Sequence, residues 1–407
     1  MKKTIALIAT LDTKGVETKY IKDQFITHGK RVIVIDSGIL GEAHDIEPDF
    51  SRYEVAKHGG YNLDEIRNSG SRGEAVSQMS ECVRAVIEKL YTERNIDGVM
   101  CVAGAGSMIA VPGMQKLPLG FPKLLVCPLL SGERVFEPFV GTSDIVLMHS
   151  VVDILGINGI SQKIFDNAIG AMIGMVDNYT PAENEYENHI AITMFGQTTP
   201  GVMSAMKKLE RSGYTCVIFH ANGVGGRSME ELIEKGVFAG VLDYTLSEVA
   251  GEELGGLNKS SPTRMEIAGK YGIPQVIVPG CIDFLDVFPV DMEKPEYSDR
   301  KVYRHSPAIY LVRVKKGEMA KLGKVFSRKL NASKGPVEIV FPLKGLSQAN
   351  AEGKALYDSE ADNAFLESLK KNISKNIPVH VLDKHINDQL FAEFAAERLL
   401  ALMRKKD

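Results

Sequence analysis

The chain has 407 residues, which at about 150 residues per domain predicts two to three domains. Its 48 Lys+Arg and 52 Asp+Glu give a net charge of −4, which argues against a protein that mainly coats nucleic acid or an anionic membrane. No apolar run approaches the roughly 18 residues that a bilayer span needs, so we expect no membrane partner. Five scattered cysteines without a Cys-x-x-Cys pair predict reduced thiols in the cytoplasm and no thiolate-held metal.

The first half of the chain alternates strand-like and helix-like segments. The predicted strands are Thr4–Thr10, Arg31–Asp36, Gly98–Val102, Lys123–Cys127 and Asp144–Met148, and the predicted helices are Lys14–Gly29, Arg72–Arg94 and Gly159–Val176. Strands separated by helices pair in parallel through right-handed crossovers. We therefore predict a Rossmann-like, doubly wound α/β domain over residues 1–180. The polar segment 38–72 is either a lid or subunit-contact arm, or a long surface connection.

A polar, acidic stretch at 178–188 predicts a domain boundary, after which the alternation resumes. The predicted strands are His189–Met194, Thr215–Phe219, Val241–Asp243, Gln275–Val278, Val337–Phe341 and Val379–Leu382. The predicted helices are Pro200–Ser212, Ser228–Lys235, Thr263–Tyr271, Glu318–Leu330, Glu360–Lys371 and Gln389–Arg404. This pattern predicts a second doubly wound domain over residues 189–407, again with a mostly parallel sheet.

Ligands of open parallel sheets bind beyond the carboxyl ends of the strands, so the loops that follow the strands are the candidate sites. The first such loop, residues 10–15, joins a strand to a helix and carries Thr10, Asp12, Thr13 and Lys14. A lysine in the first turn opposes the helix dipole, which favours an anionic ligand. The alternative is that Asp12 or Thr13 only caps the helix.

The second candidate loop, residues 103–107, contains Gly104, Gly106 and Ser107, whose backbone could approach a phosphate closely. It matches neither a Walker loop nor a G-x-G-x-x-G fingerprint, and a tight turn would explain it equally well. Ser131 and Gly132 follow the next strand and form a third candidate. Asp36, at the end of the second strand, is either a ribose ligand or a strand cap.

In the second half, a buried strand ends at His220 and leads into the glycine-rich segment 221–227. Such a backbone can surround an oxyanion. The predicted second anion site consists of Thr198, Thr199, Gly223, Gly225, Gly226 and Arg227. His220 is the preferred acid–base candidate because its charge changes near neutral pH. The alternative is a structural histidine beside a glycine turn. No G-x-S-x-G elbow or Ser-His-Asp order supports covalent hydrolysis.

Several long motifs in a fixed order carry a resemblance over essentially the whole chain. They are TLDTKG (10–15), GTSDIVLMHSVVDILGIN (141–158), ITMFGQTTPGV (192–202), FHANGVGGRSMEELI (219–233), AGVLDYTLSEVA (239–250), GIPQVIVPGCIDF (272–284), YRHSP (303–307) and LDKHIND (382–388). They resemble an uncharacterised family of bacteria, fungi and plants that includes the N-terminal region of the tomato mosaic virus resistance protein. The plant member continues into a barrel-like domain, similar to phosphoenolpyruvate-using enzymes, and we expect no counterpart of that domain here.

The resemblance implies ATP binding in the first domain and self-association as a homodimer or a higher homo-oligomer. It transfers the nucleotide role to Thr10, Asp12, Thr13 and Lys14, and further to Gly104, Gly106, Ser107, Ser131 and Gly132. Residues 103–107 depart from the expected pattern at Ala105, where we expect glycine. A separate barrel protein could supply the function of the plant protein's second domain.

These observations lead to one functional expectation and two alternatives. We expect a cytoplasmic ATP-binding protein that activates, or transfers a phosphoryl group to, a small anionic metabolite, with Mg²⁺ bridging the phosphates. One alternative is a non-catalytic binding module that responds to nucleotide. The other is a hydrolase or lyase of sugar acids, in which His220 does the chemistry.

Overall fold

The computed structural model describes residues 2–130, 137–181 and 188–404, apart from the side chain of residue 137. The chain divides into two compact units, Met1–Glu183 and Asn184–Asp407. Each unit has its own parallel sheet with helices on both faces. Within the described ranges, no helix combines the length and the apolar character that a membrane crossing requires.

Unit 1 alternates strands and helices from its first residues. Its strands are β1 (Thr4–Ala9), β2 (Arg31–Asp36), β3 (Gly98–Val102), β4 (Lys123–Cys127) and β5 (Val146–His149). Its helices are α1 (Leu11–Thr27), α2 (Arg52–His58), α3 (Leu63–Arg67), α4 (Arg72–Thr92), α5 (Ser107–Lys116), α6 (Glu137–Val140) and α7 (Gly159–Asn178).

The five strands of unit 1 are parallel and lie in the order β2-β1-β3-β4-β5. Both faces of the sheet are buried, which explains why β1 is an uninterrupted apolar run. Ala6 and Ile8 pack on the face that α4 and α5 cover, whereas Ile5 and Leu7 pack on the face of α1 and α7. The strand order reverses between β1 and β3, and this is where sheets of this type bind ligands.

Unit 2 has two sheets. Its strands are β6 (His189–Met194), β7 (Thr215–His220), β8 (Gly240–Thr245), β9 (Gln275–Gly280), β10 (Phe284–Val287), β11 (Val302–Arg304), β12 (Tyr310–Arg313), β13 (Val337–Pro342) and β14 (Val379–Leu382). Its α-helices are α8 (Thr199–Glu210), α9 (Val224–Glu234), α10 (Ser247–Leu254), α11 (Ile267–Lys270), α12 (Lys316–Asn331), α13 (Ser359–Asn372) and α14 (Gln389–Arg404).

The larger sheet of unit 2 is parallel, with the order β14-β13-β9-β8-β6-β7. Read from β7, this order matches that of unit 1 with one strand added, so the reversal falls between β6 and β8. In addition, β10, β12 and β11 form a small antiparallel sheet. The sequence pattern does not predict this small sheet, because its strands have only three or four residues each.

The predicted fold class is confirmed: both units are α/β, with mostly parallel sheets between helices. The observed ends of the helices and strands differ most from the predicted ends where tight turns replace part of a predicted helix. The helix predicted over 263–271 is reduced to α11, because Arg264 and Met265 form turns that bind buried carboxylates. Segment 38–72 is largely a connection, but it contains the short helices α2 and α3, each of which begins with a capping box.

Candidate functional site

A cavity of about 800 Å³ opens at the strand-order reversal of unit 1. Its wall contains the turn after β1 and the turn after β3, together with parts of segment 38–72. The lining residues are Thr10, Asp12, Thr13, Ser37, Ile39, Leu40, Arg67, Ser69, Gly70, Ser71, Arg72, Ala75, Val76, Ala105, Gly106 and Ile109. This volume lies within the range of about 300–1,000 Å³ that is usual for small-molecule sites.

Three helices begin at this cavity. Thr10 is the N-cap of α1, Ser71 the N-cap of α4 and Gly106 the N-cap of α5, and all three line it. The positive ends of the three helix dipoles therefore lie around one space. Neither Thr10 nor Gly106 provides a side-chain cap to its helix. This arrangement favours an anionic ligand.

The charged side chains that line the cavity are two arginines and one aspartate. Arg72 is exposed at the first position of α4, where a positive charge opposes the helix dipole. Arg67 donates to the carbonyl oxygens of Ile39 at 2.7 Å and Leu40 at 3.3 Å, so it supports the wall of the cavity. The Asp12 carboxylate accepts from the Gly41 amide at 3.1 Å. The net charge of these groups again favours an anion.

Four of the predicted nucleotide residues, Thr10, Asp12, Thr13 and Gly106, line the cavity. The hydroxyl groups of Thr10 and Thr13 lie 3.1 Å apart at its wall. The turn after the first strand is therefore open towards a space large enough for a ligand, and this space is the geometric requirement of the sequence-based hypothesis.

The other predicted residues of this site lie elsewhere. The Lys14 ammonium donates to the carbonyl oxygen of Ile154, in the loop after β5, and Lys14 does not line the cavity. Ser107 is fully buried, and its hydroxyl faces the Cys127 thiol at 3.7 Å. Gly104 follows β3 but is not part of the cavity wall. Ser131 and Gly132 lie outside the described residues. A direct contact between Lys14 and a phosphate stays a prediction.

Asp36 has structural partners on three sides. Its carboxylate accepts from the Leu11 amide at 3.1 Å, from the Gly38 amide at 2.9 Å and from Nε of Arg52 at 2.8 Å. Asp36 and Arg52 are each only 1% exposed. This geometry agrees with the strand-cap interpretation rather than with a ribose ligand, because the carboxylate is enclosed behind the wall of the cavity.

The glycine-rich loop of unit 2 already holds an anion, which is a side chain of the protein. The Glu248 carboxylate, at the start of α10, accepts from the amides of Gly223 at 2.8 Å and Gly226 at 2.9 Å. Its other oxygen accepts from Nε of Arg264 at 2.7 Å. This close approach explains the glycine at position 226, because a Cβ atom there would lie 1.9 Å from Glu248 Oε2.

Arg264 lies at the centre of a buried acidic cluster. It contacts both oxygens of Asp243, at 2.6 and 2.8 Å, in addition to Glu248. Glu230 Oε1 lies 3.9 Å from the guanidinium and accepts from the Met265 amide at 2.6 Å. Burial raises the pKa of Glu230 to about 7, against the lowering effect of Arg264. The cluster connects α9, β8 and α10 and has the character of a structural network.

The remaining residues of the predicted second anion site are not all available to a ligand. The Thr198 side chain is fully buried and lies 2.8 Å from the Thr245 hydroxyl, and Thr199 donates to the carbonyl oxygen of Phe195. His220 is exposed, and its ring stacks on Phe195 at a centroid distance of 5.1 Å. Gly225 and Arg227 lie in the first turn of α9. A ligand at this loop, and acid–base chemistry at His220, stay predictions.

Residues 67–76 form one side of the cavity, and most of this side was not predicted from the sequence. Its signal was present as Ser69-Gly70-Ser71-Arg72, a small polar run that ends in a cation at a helix start. The Ser71 hydroxyl accepts from the Glu74 amide, which fixes the beginning of α4. Segment 38–72 was predicted as a lid or subunit-contact arm, or as a surface connection, and in the structure its residues Ile39, Leu40 and Arg67 line the cavity.

Two family models match the chain. Residues 3–181 match the N-terminal domain, and residues 187–403 the C-terminal domain, of the uncharacterised protein family UPF0261. The chain belongs to the UPF0261 family. A UPF0261 protein of Clostridium tetani is 40% identical over the full length of both chains.

The tomato mosaic virus resistance protein Tm-1(GCR237) of Solanum lycopersicum is also similar. It is 35% identical over 82% of this chain and 45% of the tomato protein, which confirms the resemblance that the sequence motifs indicated. Among solved structures, UDP-N-acetylglucosamine 2-epimerase from Rickettsia bellii aligns with 100% of this chain and 96% of its own. Its identity of 11% and TM-score of 0.24 carry no functional argument.

Proposed function

We propose that unit 1 binds ATP, or a closely related nucleoside polyphosphate, in the cavity at its strand-order reversal. The observation that carries the proposal is the meeting of three helix N-termini, those of α1, α4 and α5, at one cavity of about 800 Å³. A polyphosphate is the kind of anion that several amide-rich helix starts can bind together.

The two halves of a nucleotide have suitable surroundings in this cavity. Threonine hydroxyls, first-turn amides and the exposed Arg72 are suited to the phosphates. Ile39, Leu40, Ala75, Val76 and Ile109 provide apolar surface for a base. If Mg²⁺ accompanies the phosphates, the Asp12 carboxylate in the described part of the wall could hold it, and Mg²⁺ would supply charge neutralisation there.

We expect Lys14 to position α1 rather than to contact the nucleotide directly. Its ammonium donates to the Ile154 carbonyl, and the neighbouring Glu17 accepts from the Gly156 amide at 2.5 Å. Both contacts attach α1 to the loop after β5. We therefore expect Lys14→Ala to weaken ATP binding less than a substitution of Arg72 does.

Titration calorimetry with ATP, ADP and inorganic phosphate, each with and without Mg²⁺, tests the proposal. Arg72→Gln should weaken ATP binding by about tenfold or more, as expected for the loss of a charge-assisted hydrogen bond. Arg84→Gln is the matched control, since Arg84 is exposed on the same helix and does not line the cavity. Absence of ATP binding by the parent chain, or equal effects of the two substitutions, would refute the proposal.

A non-catalytic, nucleotide-responsive module is favoured over an enzyme by the lining itself. Among the residues that the structure describes in the cavity wall, Asp12 alone is an Asp, Glu, His, Cys, Lys or Tyr. General acid–base catalysis needs such groups near the reacting atoms. We accordingly expect slow or no turnover of bound ATP, with a change in oligomer size on binding.

Three further expectations belong to the same proposal. They are a cytoplasmic location, self-association as a homodimer or higher oligomer, and action on a small anionic metabolite or through a separate barrel protein. ATP-dependent phosphoryl transfer measured across a panel of anionic metabolites, with sedimentation in the presence of ATP, separates an enzyme from a responsive module.

A further inference from the structure

One loop of segment 38–72 rests on the first turn of α1, at the edge of the cavity. The Gly41 amide donates to the Asp12 carboxylate at 3.1 Å, and the His44 amide donates to the Leu11 carbonyl at 3.4 Å. Ile39 and Leu40, which precede these contacts, line the cavity, and Leu40 is 77% exposed. We call residues 39–45 the strap. Its position determines how far one wall of the cavity is closed.

The strap fits here because residue 15 is a glycine. A Cβ atom at position 15 would lie 2.0 Å from the carbonyl oxygen of His44. Any other residue at this position would force the strap or α1 to move. The close approach of the two backbones is therefore specific to this sequence.

The His44 imidazole lies between two hydrogen-bond acceptors. Its Nδ1 contacts the carboxylate of Asp45, and its Nε2 lies 2.8 Å from the backbone carbonyl oxygen of Asp12. A carbonyl oxygen has no proton to donate, and an ionised carboxylate has none either. Both contacts are hydrogen bonds only when both ring nitrogens carry a proton, which is the imidazolium form.

We propose that protonation of His44 closes the strap over the cavity, so that the cavity binds its nucleotide more tightly at low pH than at high pH. This inference rests on the proposed function for its ligand, but the movement of the strap does not. The acidic side chains whose charges act on the imidazole are Asp45 of the strap and Asp12 of α1. Glu42 of the strap instead contacts Tyr53 and Arg67.

The direction of the pH dependence follows from these partners. The hydrogen bond to the Asp45 carboxylate, followed by that to the Asp12 carbonyl, raises the pKa of His44 above its ordinary value near 6.5. A group with a raised pKa in the closed state stabilises closure fully below its ordinary pKa. This contribution is lost as the pH rises through the raised value. Binding should therefore weaken from mildly acidic towards alkaline pH.

The absence of tryptophan from the chain makes a direct optical test available. In a Leu40→Trp variant the only indole would report on the strap without any ligand. We expect its emission to change with pH in one transition, and the same transition to be absent when His44→Gln is added. His28→Gln is the matched control, because His28 is an exposed histidine of unit 1 that lies outside the strap. It should leave the transition unchanged.

ATP calorimetry across the same pH range, on the parent chain and on His44→Gln, tests the coupling to the ligand. The ratio of the two affinities at each pH removes the titration of ATP itself. We expect this ratio to change by about fivefold, the low end of ordinary couplings between sites. A constant ratio would overturn the coupling, and a transition that persists in His44→Gln would overturn the switch. A His44-dependent transition in a chain that does not bind ATP would refute the proposed function and leave the switch standing.

Discussion

The two units have the same strand order around their reversals, but their strand-to-helix turns differ in what they face. In unit 1 the turns after β1 and β3 border a cavity of about 800 Å³. In unit 2 the turn after β7 is closed around Glu248, whose carboxylate accepts from Gly223 and Gly226. Both backbones are suited to an anion. In unit 2 the anion is the Glu248 side chain of the protein itself.

An anion-binding backbone therefore does not by itself predict an external ligand. A buried carboxylate is stable only when donors and a cation surround it, and Glu248 has two amides and Arg264. Glycine is needed in that loop because the carboxylate lies so close to the backbone. In unit 1, Asp36 has a related role, but it lies behind the wall and leaves the space in front of α1 vacant.

The largest expected effect comes from removal of the internal anion of unit 2. Glu248→Gln should lower the free energy of unfolding of unit 2 by about 3 kcal/mol, because Arg264 loses a buried anionic partner. The Gln carbonyl oxygen can still accept from the two loop amides, but its NH2 group then faces the Arg264 guanidinium, donor against donor. Urea unfolding followed by circular dichroism measures the change. Glu252→Gln, on the same helix and only partly buried, is the control and should change stability by less than about 0.5 kcal/mol.

A companion variant asks whether the loop itself is a carboxylate site. In Glu248→Ala the space left by the side chain should admit formate, so formate should raise the melting temperature of this variant more than that of the parent chain. Equal responses of the two proteins would show that the loop loses its shape without Glu248. The glycine-rich loop of unit 2 would then not be an anion site that Glu248 fills, in contrast to the open cavity of unit 1.

The next effect concerns unit 1 and the close approach of Gly15 to His44. Gly15→Ala should cost about 1–3 kcal/mol of stability, as overpacking does, or displace the strap from α1. Either result should weaken ATP binding. Gly170→Ala in α7 is the matched control, since a Cβ there meets no atom within 4 Å. It should leave stability unchanged or raise it slightly. Thermal unfolding and calorimetry of both variants decide between these results.

The fold could be predicted because its signals are local and repeated. Apolar runs such as β1 and β9 are buried on both faces, and helices such as α4 carry a regular apolar stripe. The small antiparallel sheet was missed because pairing between β10 and β12 depends on residues about 26 positions apart. Its strands are too short for alternation to be distinguished from a loop.

The candidate site could be predicted only in part. Thr10, Asp12 and Thr13 were identified because a strand-to-helix turn places its residues at the sheet edge whatever surrounds it. The direction of a long side chain is not local information. Lys14 reaches Ile154, which lies 140 positions away, and Glu248 reaches the amide of Gly223 across the fold. A sequence shows that a loop has backbone amides to donate, but it does not show whether a side chain of the protein or an external ligand accepts from them.

The smallest expected effect is on the pH dependence of stability, and it tests whether the acidic cluster of unit 2 excludes water. Burial raises the pKa of Glu230 to about 7, so the folded state binds a proton that the unfolded chain, with an ordinary value near 4.5, has released. Stability of unit 2 should therefore fall as the pH rises from about 4.5 to about 7 and then level off. Glu230→Gln should remove about 1–2 kcal/mol of this fall, since Gln can still accept from the Met265 amide.

The measurement is the free energy of unfolding against pH for both proteins. Asp283 and Asp286 of the same unit also have pKa values raised by burial, to about 6 and about 7, so the parent profile contains their slopes as well. The difference between the parent and Glu230→Gln isolates Glu230. Glu234→Gln, exposed on the same helix, should leave the profile unchanged. If Glu230→Gln leaves it unchanged too, water reaches Glu230, and the filled site of unit 2 is more open than its hydrogen bonds indicate.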